Sequence, residues 1–194
     1  LTSKVGICNL ALANIGKPDI QDINEASAEA QACKRFYDQT LALLLEKYPW
    51  RWAQHTAALA EVTNTKSNRW FKAFRRPSDC RKLLYVCDEL MLDADDRHAS
   101  PYAIEGTTIY CDIETAYAVY IKDQTDPTKF PALFVEALSW HLAVRLAMPL
   151  TRDPKMRADA YQLAERTTAM AEAMDANEMR ASTDTFVEAI EVRK

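Results

Sequence analysis

The chain has 194 residues, 48% of them hydrophobic, and a formal net charge of -4. These are the proportions of a globular protein with room for one well-packed core, and they give no global push toward nucleic acid or an anionic membrane. Gly6, Gly16 and Gly106 are its only glycines, too scattered for a phosphate-cradling loop or a dinucleotide fingerprint. The five cysteines (Cys8, Cys33, Cys80, Cys87 and Cys111) include no C-x-x-C pair, so neither a disulfide framework nor a zinc ribbon is expected. No stretch approaches ~20 uninterrupted apolar residues, and no charged-then-apolar leader opens the chain. The expectation is reduced thiols in a cytoplasmic compartment, without a membrane span.

In chain order, residues 3–15 predict a short helix. Val5, Cys8, Leu12 and Ile15 share one face, Ser3 or Thr2 supplies the cap, and Gly16 before Lys17-Pro18 supplies the stop. Residues 25–47 predict a longer one. Ala26, Ala30, Cys33, Tyr37, Leu41, Leu44 and Tyr48 keep its rhythm, Asn24 or Ser27 caps it, and Pro49 ends it. Trp50-Arg51-Trp52 then supplies two large aromatics to anchor the following loop in the core.

From 52 to 126 helical periodicity fades. Strand candidates are Gln54–Val62, Trp70–Arg75, Lys82–Cys87, Tyr102–Ile104, Thr107–Cys111 and Ala116–Ile121, with a hairpin turn at Glu105-Gly106. Helical pattern returns over 129–148, where Phe134, Leu138, Leu142 and Leu146 form a stripe that Met148-Pro149 closes. Asp153-Pro154 starts the next helix, with Met156, Ala160, Leu163, Met170 and Met174 on its inner face to about 178. Residues 180–194 break the pattern, and Phe186, Val187, Ile190 and Val192 suit an extended segment, either a free arm or one docked on its own domain.

The expected fold is therefore α+β and mainly α. It is a four-helix bundle core with a β-rich insertion between helices 2 and 3 and an extended C-terminal arm. One domain spans 1–194, with the bundle in 1–51 and 127–179, the insertion in 52–126 and the arm in 180–194.

Charge is partitioned within the insertion. Lys66, Arg69, Lys72, Arg75, Arg76, Arg81 and Lys82 fall within seventeen residues beside the single acid Asp79. Asp88, Glu89, Asp93, Asp95, Asp96, Glu105, Asp112, Glu114, Asp123 and Asp126 follow, against Arg97 and Lys122 alone. Three readings stand. The basic run, interleaved with Trp70, Phe71 and Phe74, grips nucleic acid. Basic and acidic patches meet between copies of the chain. Or the charges pair internally on a solvated surface.

Motifs for chemistry are missing. His55, His98 and His141 form no metal-binding pair. An EF-hand loop opening at Asp93 fails, because it has His98 where glycine is needed and Ile104 where glutamate is needed. No G-x-S-x-G occurs. The sequence predicts no enzyme, with no catalytic, cofactor or metal residues.

The N-terminal quarter carries a resemblance. Cys8-Asn9-Leu10-Ala11-Leu12-Ala13-Asn14-Ile15-Gly16-Lys17-Pro18 precedes Ile20 and Ile23. A helix from Ala26-Ser27-Ala28-Glu29-Ala30 then runs through Phe36-Tyr37-Asp38 and Leu41 to Tyr48-Pro49-Trp50-Arg51-Trp52. This resembles the tail tubular protein A family, the head-to-tail adaptors of short-tailed bacteriophages, and the later order of elements is similar. The resemblance implies a structural virion protein in the phage neck, made in the host cytoplasm. It implies a dodecameric ring that binds portal protein on one side and the tail nozzle on the other, around a channel that passes DNA without sequence-specific binding. It implies no catalytic site. The insertion is expected to contact neighbours or the tail, and the arm to reach the portal or an adjacent subunit. Candidate interface residues are Arg69, Lys72, Arg75, Arg76, Arg81, Asp93, Asp95, Asp96, Phe186, Val187 and Ile190. The alternative is a nucleic-acid-binding or regulatory module using residues 66–82.

Overall fold

The computed structural model describes residues 2–89 and 99–177. The element order is α1 (Lys4–Ala13), α2 (Ala28–Lys47), a short 3-10 turn (Arg51–Ala53), β1 (Gln54–Ala58), β2 (Lys72–Arg75), β3 (Cys80–Asp88), β4 (Tyr102–Glu105), β5 (Thr108–Cys111), β6 (Ala116–Lys122), a second 3-10 turn (Pro127–Lys129), α3 (Ala132–Thr151) and α4 (Pro154–Asn177).

Local chemistry explains most boundaries. Ser3 caps α1 by accepting the Gly6 N–H at 3.0 Å. Gly16 adopts φ +67°, its N–H donates to the Ala13 carbonyl, and Lys17 N–H donates to the Leu12 carbonyl at 2.9 Å. That is a Schellman closure, which the conformational freedom of glycine makes cheap. Ser27 caps α2, which begins at Ala28 rather than at the expected Glu25. The Glu25 carboxylate accepts the Gln21 and Asp22 N–H groups and the Ser27 hydroxyl. Residues 25–27 thus remain a turn, and Ala26 is exposed. Further along the chain, Asp153 caps α4 through the Lys155 and Met156 N–H groups.

Helices α3 and α4 both depart from expectation. Helix α3 runs through Pro149 to Thr151 and closes on Arg152, whose φ of 56° is left-handed. Proline removes one donor, but Thr151 Oγ1 donates to the Ala147 carbonyl and the Arg152 N–H reaches Met148, so the last turn persists. In α4 the buried side is Ala160, Ala164, Thr168, Ala171 and Asp175. Leu163, Met170 and Met174 lie outside it, at 36%, 51% and 55% exposure.

Among the described residues, six strands form two antiparallel three-stranded sheets, ordered β1-β6-β3 and β2-β5-β4. The expected strand over Gln54–Val62 ends at Ala58. Beyond it, Leu59 N–H bonds the Ala116 carbonyl and Val62 N–H the Ala73 carbonyl, so this stretch steps from the first sheet to the edge of the second. The β4–β5 hairpin turns at Gly106, φ +57°, with Glu105 opposite Thr108. Phe74, Ile109 and Cys111 of the second sheet bury against Val86 and Ala116 of the first.

The expected four-helix bundle with a β-rich insertion does not form; the protein is α+β on a different plan. Helix α3 is the hub, and α1, α2 and α4 each pack against it, while α1 and α2 meet each other only slightly. The reason lies in α3 itself, which buries Phe134, Val135, Ala137, Leu138, Leu142, Ala143, Leu146 and Ala147 around much of its circumference. A helix apolar on most sides takes neighbours on most sides. Among the described residues α3 alone is long and apolar enough to cross a membrane, but its hydrophobic surface serves this core. The first sheet is joined to that core: Ile121 of β6 and Leu84 of β3, with Ala53 of the preceding turn, enter the same apolar cluster as the helices. Leu84 gets there through a β-bulge between Leu83 and Tyr85. The aromatic anchor is the second joint, where Trp50 packs edge-on against Phe134 and Trp52 against Phe130 and Phe134.

Candidate assembly surfaces

The basic run of 66–82 folds against acids on both sides of it in sequence. Antiparallel pairing of β2 with β5, and of β3 with β6, lays one half of the segment beside the other. Lys66 meets Glu105 and its ammonium lies 5.3 Å from the Tyr110 ring centre. Lys72 sits between Glu61 at 2.9 Å and Glu114 at 3.7 Å, and the Glu61 hydrogen bond raises its pKa. Arg81 bonds Asp123 at 2.7 Å, with Glu46 at 3.6 Å, and the Asp123 hydrogen bond raises its pKa.

The remaining cations divide. Arg76 donates to the Cys80 and Arg81 carbonyls, which makes it a brace for the β2–β3 turn. Lys82 donates to the Glu46 carbonyl, tying β3 to α2. Arg69 stacks over Trp70 at 5.9 Å. Arg75 is exposed on β2, and Phe71, just before that strand, is 58% exposed. Thus the structure joins Lys72 and Arg81 to carboxylates, turns Arg76 onto backbone, and leaves Arg69 and Arg75 facing no carboxylate among the described residues. Exposed pairs of this kind contribute little each, about 0–1 kcal/mol. Asp93, Asp95, Asp96 and His98, together with Phe186, Val187 and Ile190, lie outside the described residues.

Sequence reading missed the surfaces around α4. Asp175, 5% exposed, accepts the Arg51 N–H at 2.9 Å and the Trp52 N–H at 3.5 Å. A carboxylate at the N-terminal end of a short turn satisfies donors that have no partner within it. Nothing local signals this bond, since it spans 124 positions. Beside it a half-open apolar pocket of about 170 Å³ is lined by Trp50, Trp52, Leu133, Phe134 and Met174. The alanines at 160, 164 and 171 were a readable signal for close helix packing, masked by the larger methionines nearby.

On the other side of α4, His141 of α3 lies 2.9 Å from the Thr168 hydroxyl. That hydroxyl donates to the Ala164 carbonyl, which leaves His141 Nε2 as the donor to it. Burial, then the Lys47 charge, lowers the His141 pKa. Arg145 and Arg157 line the groove next to His141, with Val144, Met148 and Tyr161.

The five cysteines are free and buried. Cys8 and Cys33 face each other between α1 and α2, and the hydrogen bond between them, then burial, pushes the Cys8 thiol up. Such thiols pack as small apolar groups. Among the described residues, no three His, Cys, Asp or Glu side chains gather as a metal ion would need. No protein-family model matches the sequence, and no curated protein matches it.

Proposed function

We propose that this chain is a structural adaptor subunit: copies assemble into a ring, of the dodecameric kind the resemblance implies, that joins a phage portal to the tail nozzle and lines the DNA exit channel. The observation that carries the reading is the surface of α4, which turns small residues inward and exposes Leu163, Met170 and Met174 on one flank. Large apolar side chains displayed along one rigid helix suit burial by another protein. A head-to-tail ring needs two such surfaces per subunit, and the Arg145–Arg157 groove offers a second of different chemistry.

The residues behind the resemblance have structural roles that suit a scaffold. Gly16 closes α1, and the Asn9 side chain exchanges two hydrogen bonds with the Ile20 backbone, at 2.9 and 3.0 Å. Trp50 Nε1 donates to the Leu44 carbonyl. A DNA grip by residues 66–82 has less support, because Lys66, Lys72 and Arg81 already meet carboxylates.

The test is negative-stain imaging and sedimentation of the protein with and without portal. Rings or portal complexes are expected. Persistent monomer without portal binding would sink the proposal, as would a salt-dependent affinity for DNA that Arg69→Ala with Arg75→Ala removes.

A further inference from the structure

We propose that the groove between α3 and α4 is a binding site for a phosphate monoester that carries a flat aromatic ring, the chemistry of a nucleoside monophosphate. Helical spacing builds the site. His141, Val144, Arg145 and Met148 share one stripe of α3, Arg157 and Tyr161 lie one turn apart on α4, and Phe36 of α2 completes the lining. The hollow holds about 470 Å³, within the ~300–1,000 Å³ of pockets that take small organic ligands. Such pockets join apolar walls to a few convergent polar groups. This one sets two guanidinium groups and an imidazole against two aromatic rings, a valine and a methionine.

The charge of this groove is uncompensated. Elsewhere Lys4, Lys47, Lys66, Lys72 and Arg81 each meet a carboxylate. Arg145 instead meets the neutral Gln39 Oε1 at 3.3 Å, and no carboxylate among the described residues lines the groove or pairs with Arg157. His141 lies beside them, its Nε2 on the Thr168 hydroxyl at 2.9 Å. Burial first, then Lys47, hold the His141 pKa down and Arg145 adds to them, while Glu165, itself held by Lys47 at 3.0 Å, opposes. Two guanidinium groups, each a fork of donors, match a phosphate monoester better than a single carboxylate, because the monoester brings three terminal oxygens and about two negative charges. The rings of Phe36 and Tyr161, the latter 55% exposed, offer faces for a flat aromatic body. One molecule with both features satisfies both halves of the site. The inference stands on this groove and is independent of ring assembly.

The experiment is calorimetric titration of the full-length protein with adenosine monophosphate, and in parallel with inorganic phosphate, adenosine and a single-stranded thymidine oligonucleotide without terminal phosphate. Saturable binding of the monophosphate is expected, about tenfold tighter than that of inorganic phosphate or adenosine. Arg145→Gln with Arg157→Gln should weaken it about tenfold or more. Tyr161→Ala should weaken it about fivefold and leave inorganic phosphate unchanged. Arg157→Gln alone changes one exposed side chain, so it guards against a folding defect and should weaken binding severalfold. By NMR, the imidazole signal that His141→Gln removes should titrate at higher pH with the nucleotide bound, since an anion beside the ring favours its charged form. No saturable binding of the monophosphate, or equal binding to wild type and arginine variants, would overturn the inference. So would inorganic phosphate binding as tightly as the nucleotide, or a His141 titration that the nucleotide does not move. Tighter binding of the oligonucleotide would overturn it too, because the groove would then take a nucleic-acid backbone rather than a monoester.

Discussion

Helix α3 places Phe134, Leu138, Leu142 and Leu146 in the core, while α4, packed along it, places Ala160, Ala164, Thr168 and Ala171 there. Large side chains on one helix require small ones on the facing helix if the two axes are to approach closely. The consequence falls on the two flanks of α4, where Leu163, Met170 and Met174 stay exposed on one and Tyr161 on the other. The large buried side chains of this pair of helices therefore come from α3, while the buried face of α4 is mostly alanine. Hydrophobicity alone does not locate the inner face of a helix; the shape of its neighbour does.

Substitutions on the two helices should separate these roles. The largest loss is expected for Phe134→Ala in α3, about 3–5 kcal/mol by urea denaturation, because Trp50, Trp52 and Phe130 all pack on that ring. An equal result for Met170→Ala in α4 would erase the contrast. Ala164→Leu should cost about 1–3 kcal/mol by overpacking the α3–α4 contact, although it adds hydrophobic surface. Asp175→Ala should cost a similar ~1–3 kcal/mol, since it strips the acceptor from the Arg51 and Trp52 N–H groups.

Smaller effects test the surfaces. Met170→Ser with Met174→Ser should leave monomer stability within about 0.5 kcal/mol, while ring or portal assembly, read by sedimentation, is lost. His141 reports on the α3–α4 contact through pH. Its folded pKa lies below the usual 6.5, so below that pH the unfolded chain binds a proton that the folded chain refuses. Its contribution is complete above about pH 6.5 and declines as pH falls toward the folded pKa. His141→Gln should flatten that part of the stability profile, and an unchanged slope would remove His141 as its source. Least of all, Arg81→Ala should cost under about 1 kcal/mol, and less at high salt.

The local elements were legible in the residues themselves. The Ser3, Ser27 and Asp153 caps, the Gly16 stop, the six strands and the Gly106 hairpin all depend on side chains acting within a few residues of themselves. Periodicity also located the α3 stripe, because Phe134, Leu138, Leu142 and Leu146 recur at helical spacing and are all buried. The same reasoning failed on α4, where Leu163, Met170 and Met174 mark an exposed flank.

The remaining features arose from how the elements meet. Helix α3 became a hub rather than one of four bundle helices, because so much of its surface is apolar that the other three helices pack around it. A charge division along the chain became pairs across the fold: β3–β6 pairing brings Arg81 to Asp123, and Lys72 sits between Glu61, which precedes the run, and Glu114, which follows it. Folding put Asp175 under the Trp50–Trp52 turn and Arg145 beside Arg157, pairings that no local pattern records. Sequence patterns report what a residue does to its near neighbours along the chain. Which face stays exposed, and which charges stay free, depends on the shapes that meet across the fold.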